Sequence, residues 1–406
     1  MFKKYAKLIA QVGANVQKGQ NVIIYSSIYQ EELVNYIVEE CYKLKANLVD
    51  VRWNSEKVDK TTMKRASVKA LSYVPEWQLK KEEYINETLP AFIYITDEDP
   101  DAMKGIDQNK SAKISMATYP IIKPYRDARE NKHQWTIVAA PSVEWAKKVF
   151  PNDTKSNAMK KLWDAILFTS RVTDDPIKAW KEHNAKFKKH CELINNLHIV
   201  KLHYTSKNGT DLTVGLLENA NWMGGGETTL GSNIFYNPNI PTEECFTSPR
   251  KGDAEGIVYA TKPLSYNGEL IEDFWVKFKD GKAVEVGAKK NQSLLEQMIK
   301  MDETAGYLGE CALVPFESPI NQTGILFYNT LFDENACCHL ALGMGFTNVI
   351  QNYEKYTFEE LTKIKNEFSR REKLIKSYSG NVCIILFSGI EIMKSEDECY
   401  PFDVNR

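Results

Sequence analysis

Through the first third of the chain, short β-branched and aromatic runs alternate with stretches whose apolar residues recur at helical spacing. The run Val22-Ile23-Ile24-Tyr25 predicts a buried strand. Leu33, Ile37, Val38, Cys41 and Leu44, set between charged neighbours, predict the amphipathic helix that follows it. The same criteria put strands at residues 48–53, 91–96 and 135–139, with helices between them. Parallel strands need crossover connections, usually helical, so the alternation predicts an N-terminal, Rossmann-like α/β domain on a parallel sheet. Two more helices are expected, at about residues 156–168 and 175–197, the second opened by Asp174-Asp175-Pro176.

From His198 onward the period changes. Residues 198–204 and 212–216 flank Lys207-Asn208-Gly209, residues 257–264 and 270–278 flank Asn267-Gly268, and Asp280-Gly281 precedes a run at 283–286. Asn-Gly and Asp-Gly between alternating runs specify hairpins, because these residues accept the positive φ that tight turns demand. The second half is therefore expected to be a C-terminal α+β domain with antiparallel sheet. The boundary falls inside or just after the long helix, giving domains at 1–190 and 191–406, and no internal repeat is visible.

Composition narrows the class. A chain of 406 residues supports two or three domains of about 150 residues each. Apolar residues make up 43% and charged ones 26%, which excludes wholesale disorder. With 52 Lys+Arg against 54 Asp+Glu the net charge is −2, so no overall electrostatic footprint for nucleic acid or an anionic membrane exists. The N-terminus breaks its apolar run with charge, and the longest apolar run, residues 382–387, is too short to span a bilayer. A soluble, cytoplasmic protein is expected. The eight cysteines (41, 191, 245, 311, 337, 338, 383 and 399) form no C-x-x-C pair and are expected as free, mostly buried thiols.

Motif searches are mostly negative: no Walker loop, no G-x-G-x-x-G after a strand, no G-x-S-x-G and no H-E-x-x-H. Only six histidines exist, at 133, 183, 190, 198, 203 and 339, which limits metal chemistry. His183 and His190 sit seven apart on a Lys-rich helix, too far to share one metal, and are expected to face solvent. Three segments stand out. Glu243 and Glu244 enter an apolar stretch from a Pro-rich loop, Glu310 interrupts an apolar strand, and Asp333-Glu334-Asn335 reads as a helix start leading to His339. A carboxylate in apolar surroundings is costly unless paired or bound to a cation, so two Glu and one His converging would suit Zn²⁺ or a related divalent ion. Each residue also has a plain structural alternative: Glu244 capping a helix or pairing with Arg250, Glu310 accepting backbone amides, His339 as a satisfied core histidine. Spacings of 66 and 29 residues say nothing about convergence in space.

These segments resemble the aminopeptidase S / aminopeptidase T family of bacterial metallopeptidases. The likeness runs from Tyr5-Ala6-Lys7-Leu8-Ile9 and residues 13–20 through 222–227 and 241–246, and is densest at 313–320 and 324–343. It implies an N-terminal α/β domain, a C-terminal domain bearing the site, a homodimer, and a two-metal centre that removes N-terminal residues from peptides. On this likeness Glu244, Glu310 and His339 match the first three metal ligands, Glu310 also being the catalytic carboxylate. The implied cofactor is a divalent metal, Zn, Co or Mn. The partner is a peptide, with no nucleic acid and no membrane.

The chain departs from the family pattern at three positions. Phe346 stands where the family has a Tyr seven residues after the His339-type position. The closing H-V-D-F-M-I-G strand is matched by residues 383–389, which leaves Cys383 as a weak candidate ligand for the missing His and Ile385 at the Asp position. These losses imply an impaired or altered centre holding one metal or none, with Glu367, Glu372, Glu391 and Asp397 as candidate replacement ligands. Three readings follow: a slow metallo-aminopeptidase, a catalytically degenerate peptide-binding or structural homodimer, and a single-metal enzyme.

Overall fold

The computed structural model describes residues 1–361 except Glu98, Asn267 and residues 357–359, together with the strands Cys383–Leu386, Ile390–Ser395 and Glu398–Phe402. The contacts divide it into two compact units. One comprises Met1–Asn184 with Gly226–Pro241, the other Ala185–Gly225 with Thr242–Arg406.

The first unit is built on a five-stranded, wholly parallel sheet. Its strand order is Asn239–Ile240, Trp135–Ala139, Ala91–Thr96, Val22–Ser27, Val49–Asn54. The expected strands thus form within a residue or two of their predicted ends. The central strands are buried almost throughout, which is why they read as continuous apolar runs, whereas the edge strand Val49–Asn54 is half-exposed and mixes in Asp50 and Arg52. The helix Glu31–Lys43 lays Leu33, Ile37 and Cys41 inward as the spacing predicts, with Val34 beside them, while Val38 and the following Leu44 are half-buried. The helices Lys155–Thr169 and Pro176–Asn196 also form where expected.

One expectation fails here: His183 is buried, not solvent-facing. It lies three residues beyond the fully buried Trp180 on the inward face of its helix, and its ring stands edge-on to the indole, centroids 5.2 Å apart at 80°. The charged neighbours Lys181 and Glu182 mark the other face. His190 is partly exposed.

The second unit is antiparallel. An eight-stranded sheet contains the predicted hairpins, Lys201–Thr205 with Asp211–Leu216 and Glu269–Lys279 with Lys282–Lys290. The run expected at 257–264 is broken: Pro249–Tyr259 ends before Thr261-Lys262-Pro263, and Leu264–Tyr266 then pairs with Glu269–Lys279. Pro263 has no N–H for the ladder, which ends the longer strand early. A second sheet has the order Cys383–Leu386, His339–Leu342, Leu308–Leu313, Cys245–Thr247, Met223–Gly224. The core of this unit gathers Leu202, Tyr204, Val214, Val258, Phe274, Phe278, Leu340 and Leu342.

Candidate metal centre

The second sheet delivers the side chains. Leu308–Leu313 is buried along its whole length, between Cys245–Thr247 on one side and His339–Leu342 on the other. Ala312 is directly opposite His339, so Glu310, two residues from Ala312, shares the face that His339 occupies. Glu244 immediately precedes the third strand and enters from the loop that follows the cis Ile240–Pro241 bond. The ligating atoms of Glu244, Glu310 and His339 all lie within 4.8 Å of one another, and all three residues are buried. The pairing of Glu244 with Arg250 is not formed; Arg250 contacts Asp253 at 2.7 Å instead.

The polar accounting of this cluster is incomplete in an informative way. Glu244 Oε2 and His339 Nε2 approach to 3.1 Å, and both atoms are fully buried with no other polar partner among the described residues. On the far side of the ring, His339 Nδ1 lies 3.2 Å from the Cys337 carbonyl oxygen. A carbonyl only accepts, so this contact places a proton on Nδ1 and leaves Nε2 as the nitrogen that meets Glu244. Between that nitrogen and the carboxylate sits either a proton or, in its place, a metal cation.

Charge leads to the same requirement. Burial and the neighbouring Glu244 push the Glu310 carboxyl up to about 8, with His339 working against them. Burial presses the His339 imidazole down, but Glu244, Glu310 and Glu334 carry it up to about 10. Glu334, raised chiefly by burial and then by Glu244, shares this field with both Glu310 and His339. Metal-free, this crowding is relieved by protons held on the carboxyls and the imidazole, and a divalent cation would take the place of such protons. The donor set of carboxylate oxygens and one imidazole nitrogen suits Zn²⁺, Mn²⁺ or Co²⁺.

Glu334 is the residue that sequence reasoning passed over, because Asp333-Glu334-Asn335 reads as a helix start. The structure corrects that: Thr330–Glu334 is a helix that these residues close, and His339 opens a strand. Asp333 does cap this helix, but from its last turn, its carboxylate accepting the N–H groups of Phe327 (2.8 Å) and Asn329 (3.1 Å). The only available signal for Glu334 was its position five residues before His339.

Phe346 packs its ring against Phe246, centroids 4.9 Å apart, and its N–H donates to Ser248 Oγ at 2.9 Å. Cys383 and Ile385 are described only as strand positions, registered with Leu342 and Leu340, and their side chains lie outside the described residues. The same holds for Glu391, while Glu367, Glu372 and Asp397 lie wholly outside them. No helix among the described residues is long and apolar enough to cross a membrane.

Comparison with known proteins bears on the same region. A family model described as thermophilic metalloprotease (M29) matches residues 1–373, which include Glu244, Glu310, His339 and Phe346 but not Cys383 or Ile385. Aminopeptidase AmpS of Bacillus subtilis is 40% identical over 361 residues, covering 88% of each chain. Aminopeptidase T of Thermus thermophilus is 36% identical over 346 residues, 85% of this chain and 84% of its own. The solved structure of wild-type AmpT from Thermus thermophilus superposes with a TM-score of 0.86 at 31% identity, covering 100% of this chain and 98% of that one.

Proposed function

The chain belongs to the M29 family of thermophilic metalloproteases, a hydrolase of metallo-aminopeptidase kind, and from that premise we propose that Glu244, Glu310 and His339 hold one divalent ion at which N-terminal residues are cleaved from peptides. The observation that carries this reading is the pair of buried atoms with no polar partner but each other, Glu244 Oε2 and His339 Nε2, beside Glu310. An ion bound there supplies Lewis acidity to a scissile carbonyl and lowers the pKa of water. The protein does the remainder. Glu244 and His339 fix the position, the Cys337 carbonyl holds the imidazole in the ligating tautomer, and Glu310 receives the proton of the attacking water. Glu334, which a bound cation would draw toward its ionised form, then adds negative charge beside it.

We read the centre as slow compared with a two-metal enzyme. In the ladder the residue registered with His339 is Leu386, and the one registered with Ala341 is Ile384, neither of which carries a ligating atom. Phe346 offers no hydroxyl where the family pattern has one. Loss of such an oxyanion-type donor costs about 10²–10³ in rate at comparable sites. Zinc, cobalt or manganese each fit the donors; a cytoplasmic homodimer is the setting that the family likeness favours.

Metal analysis of the purified protein, then hydrolysis of leucyl-anilide with Zn²⁺, Co²⁺ or Mn²⁺, tests this. One ion per chain and slow turnover that disappears in Glu310→Ala is the expected result. Two tightly bound ions with fast turnover would overturn the single-ion reading. Failure to bind metal under any loading condition would leave the degenerate, peptide-binding alternative. Phe346→Tyr is expected to raise the rate about tenfold or more, by returning a donor to the site.

A further inference from the structure

We propose that Asn335 is the positioning residue that sets the Glu244 carboxylate in the metal centre, an inference that rests on the metal-binding reading above. Asn335 has no exposed surface, and its side chain spends its polar atoms on one distant stretch of chain and on its own helix. Its Oδ1 accepts the backbone N–H of Glu243 at 2.6 Å, 92 residues away in sequence. Its Nδ2 donates to the carbonyl of Leu331 at 3.0 Å, one turn back in the helix that Glu334 closes. Its own carbonyl accepts from Ser318 Oγ at 2.7 Å, and Ser318 is itself buried.

The amide therefore clasps the peptide just before Glu244 to the helix end that carries Glu334, five residues ahead of His339. The segment lies between the Ile240–Pro241 bond and the strand that begins at Cys245. A shift of the 243–244 peptide moves Glu244 Oε2 directly. Leucine or alanine at 335 would fill or empty the space but supply no acceptor, whereas the amide fits both a donor and an acceptor at once. Groups that orient metal ligands in this way are worth about 10–100-fold in metal affinity.

The test measures Zn²⁺ affinity of the full chain by chelator competition, and hydrogen exchange of the Glu243 amide, for wild type, Asn335→Ala and Ser318→Ala, at a temperature where all are folded. Asn335→Ala is expected to weaken Zn²⁺ binding about 10–100-fold and to speed exchange at Glu243. Ser318→Ala, which loosens the same neighbourhood without touching the amide, is expected to keep affinity within about threefold. Zn²⁺ binding by folded Asn335→Ala as tight as wild type would overturn the proposal, as would equal weakening by both variants. If Asn335→Ala does not fold, Asn335→Ser replaces it with the same two outcomes. Absence of Zn²⁺ binding by wild type would sink the metal-centre reading itself, and an unchanged Glu243 exchange rate in the Asn335 variant would separately sink the clasp.

Discussion

Asp97 in the first unit and Glu244 in the second are both buried carboxylates beside buried strands, and their surroundings differ in kind. Asp97 follows Ala91–Thr96 and accepts hydrogen bonds from Ser27 Oγ and from Gln30 Nε2 (2.8 Å), while Gln30 also donates to the Pro141 carbonyl at 3.1 Å. Ser27 ends Val22–Ser27, so this knot sits at the carboxyl ends of two neighbouring strands where the strand order reverses, the place at which open α/β sheets commonly bind ligands. Here the protein's own side chains use that position. Glu244 Oε2 instead has no polar partner but the His339 nitrogen 3.1 Å away, among other carboxylates. A buried carboxylate with neutral donors around it is a structural node; one surrounded by acceptors is built to receive something from outside.

The comparison makes the two sites respond oppositely to metal. Without metal, Glu310 is an acid whose folded pKa lies above its unfolded value, at about 8 against 4.5. The folded state then holds a proton that the unfolded state releases, so stability falls as pH rises from about 4.5 to 8. Glu310→Gln removes that penalty, and the metal-free variant is expected to be more stable than metal-free wild type by roughly 2–4 kcal/mol at pH 8. With metal the sign reverses once the binding contribution outgrows that penalty: wild type gains about 4.1 kcal/mol at a thousandfold excess over Kd and more beyond it, and the variant, short of a ligand, gains less. Calorimetry on both forms checks it; the same sign in both would break the distinction.

Asp97→Ala should behave without that reversal. It strands the Ser27 hydroxyl and the Gln30 amide in a buried place, which costs about 1–3 kcal/mol. Denaturant melts are expected to show the same loss with and without added Zn²⁺, and Zn²⁺ affinity should stay at the wild-type value. A metal-dependent loss would mean that the two sites are not independent.

Much of the fold was readable because its information is local. Ala91–Thr96 and Trp135–Ala139 are continuous apolar runs, and strands buried on both faces leave that mark. The hairpins at Asn208-Gly209 and Asp280-Gly281 announce themselves through turn chemistry. The site was legible only as three separate residues. Glu244, Glu310 and His339 stand out as polar interruptions of apolar stretches, but their convergence depends on which strands pair and in what register, and that is settled by side chains far apart in sequence. Glu334 was missed because a carboxylate near a short helix has an ordinary role, and its neighbour Asp333 fills it. His183 was misread because the charges beside it belong to the opposite face of the same helix.

The two histidines His133 and His339 give the smallest and cleanest version of the contrast. Burial holds the His133 imidazole down at about 4, helped by the nearby Arg129 charge, although its Nδ1 lies 3.1 Å from the Arg129 carbonyl. Its ring stands edge-on to Phe92 at 5.0 Å, so it serves as a neutral packing group. The unfolded chain takes up a proton near pH 6.5 and the folded one does not until about 4, so stability is complete above 6.5 and declines as pH falls toward 4. The slope is at most about 1.4 kcal/mol per pH unit for this one group. His133→Leu keeps most of the packing and removes the titration, so urea melts between pH 6.5 and 4.5 are expected to lose up to that much slope relative to wild type. Were the slope unchanged in His133→Leu, the imidazole would already be charged in the folded state, and the first unit would hold an uncompensated site of the kind assigned above only to the second.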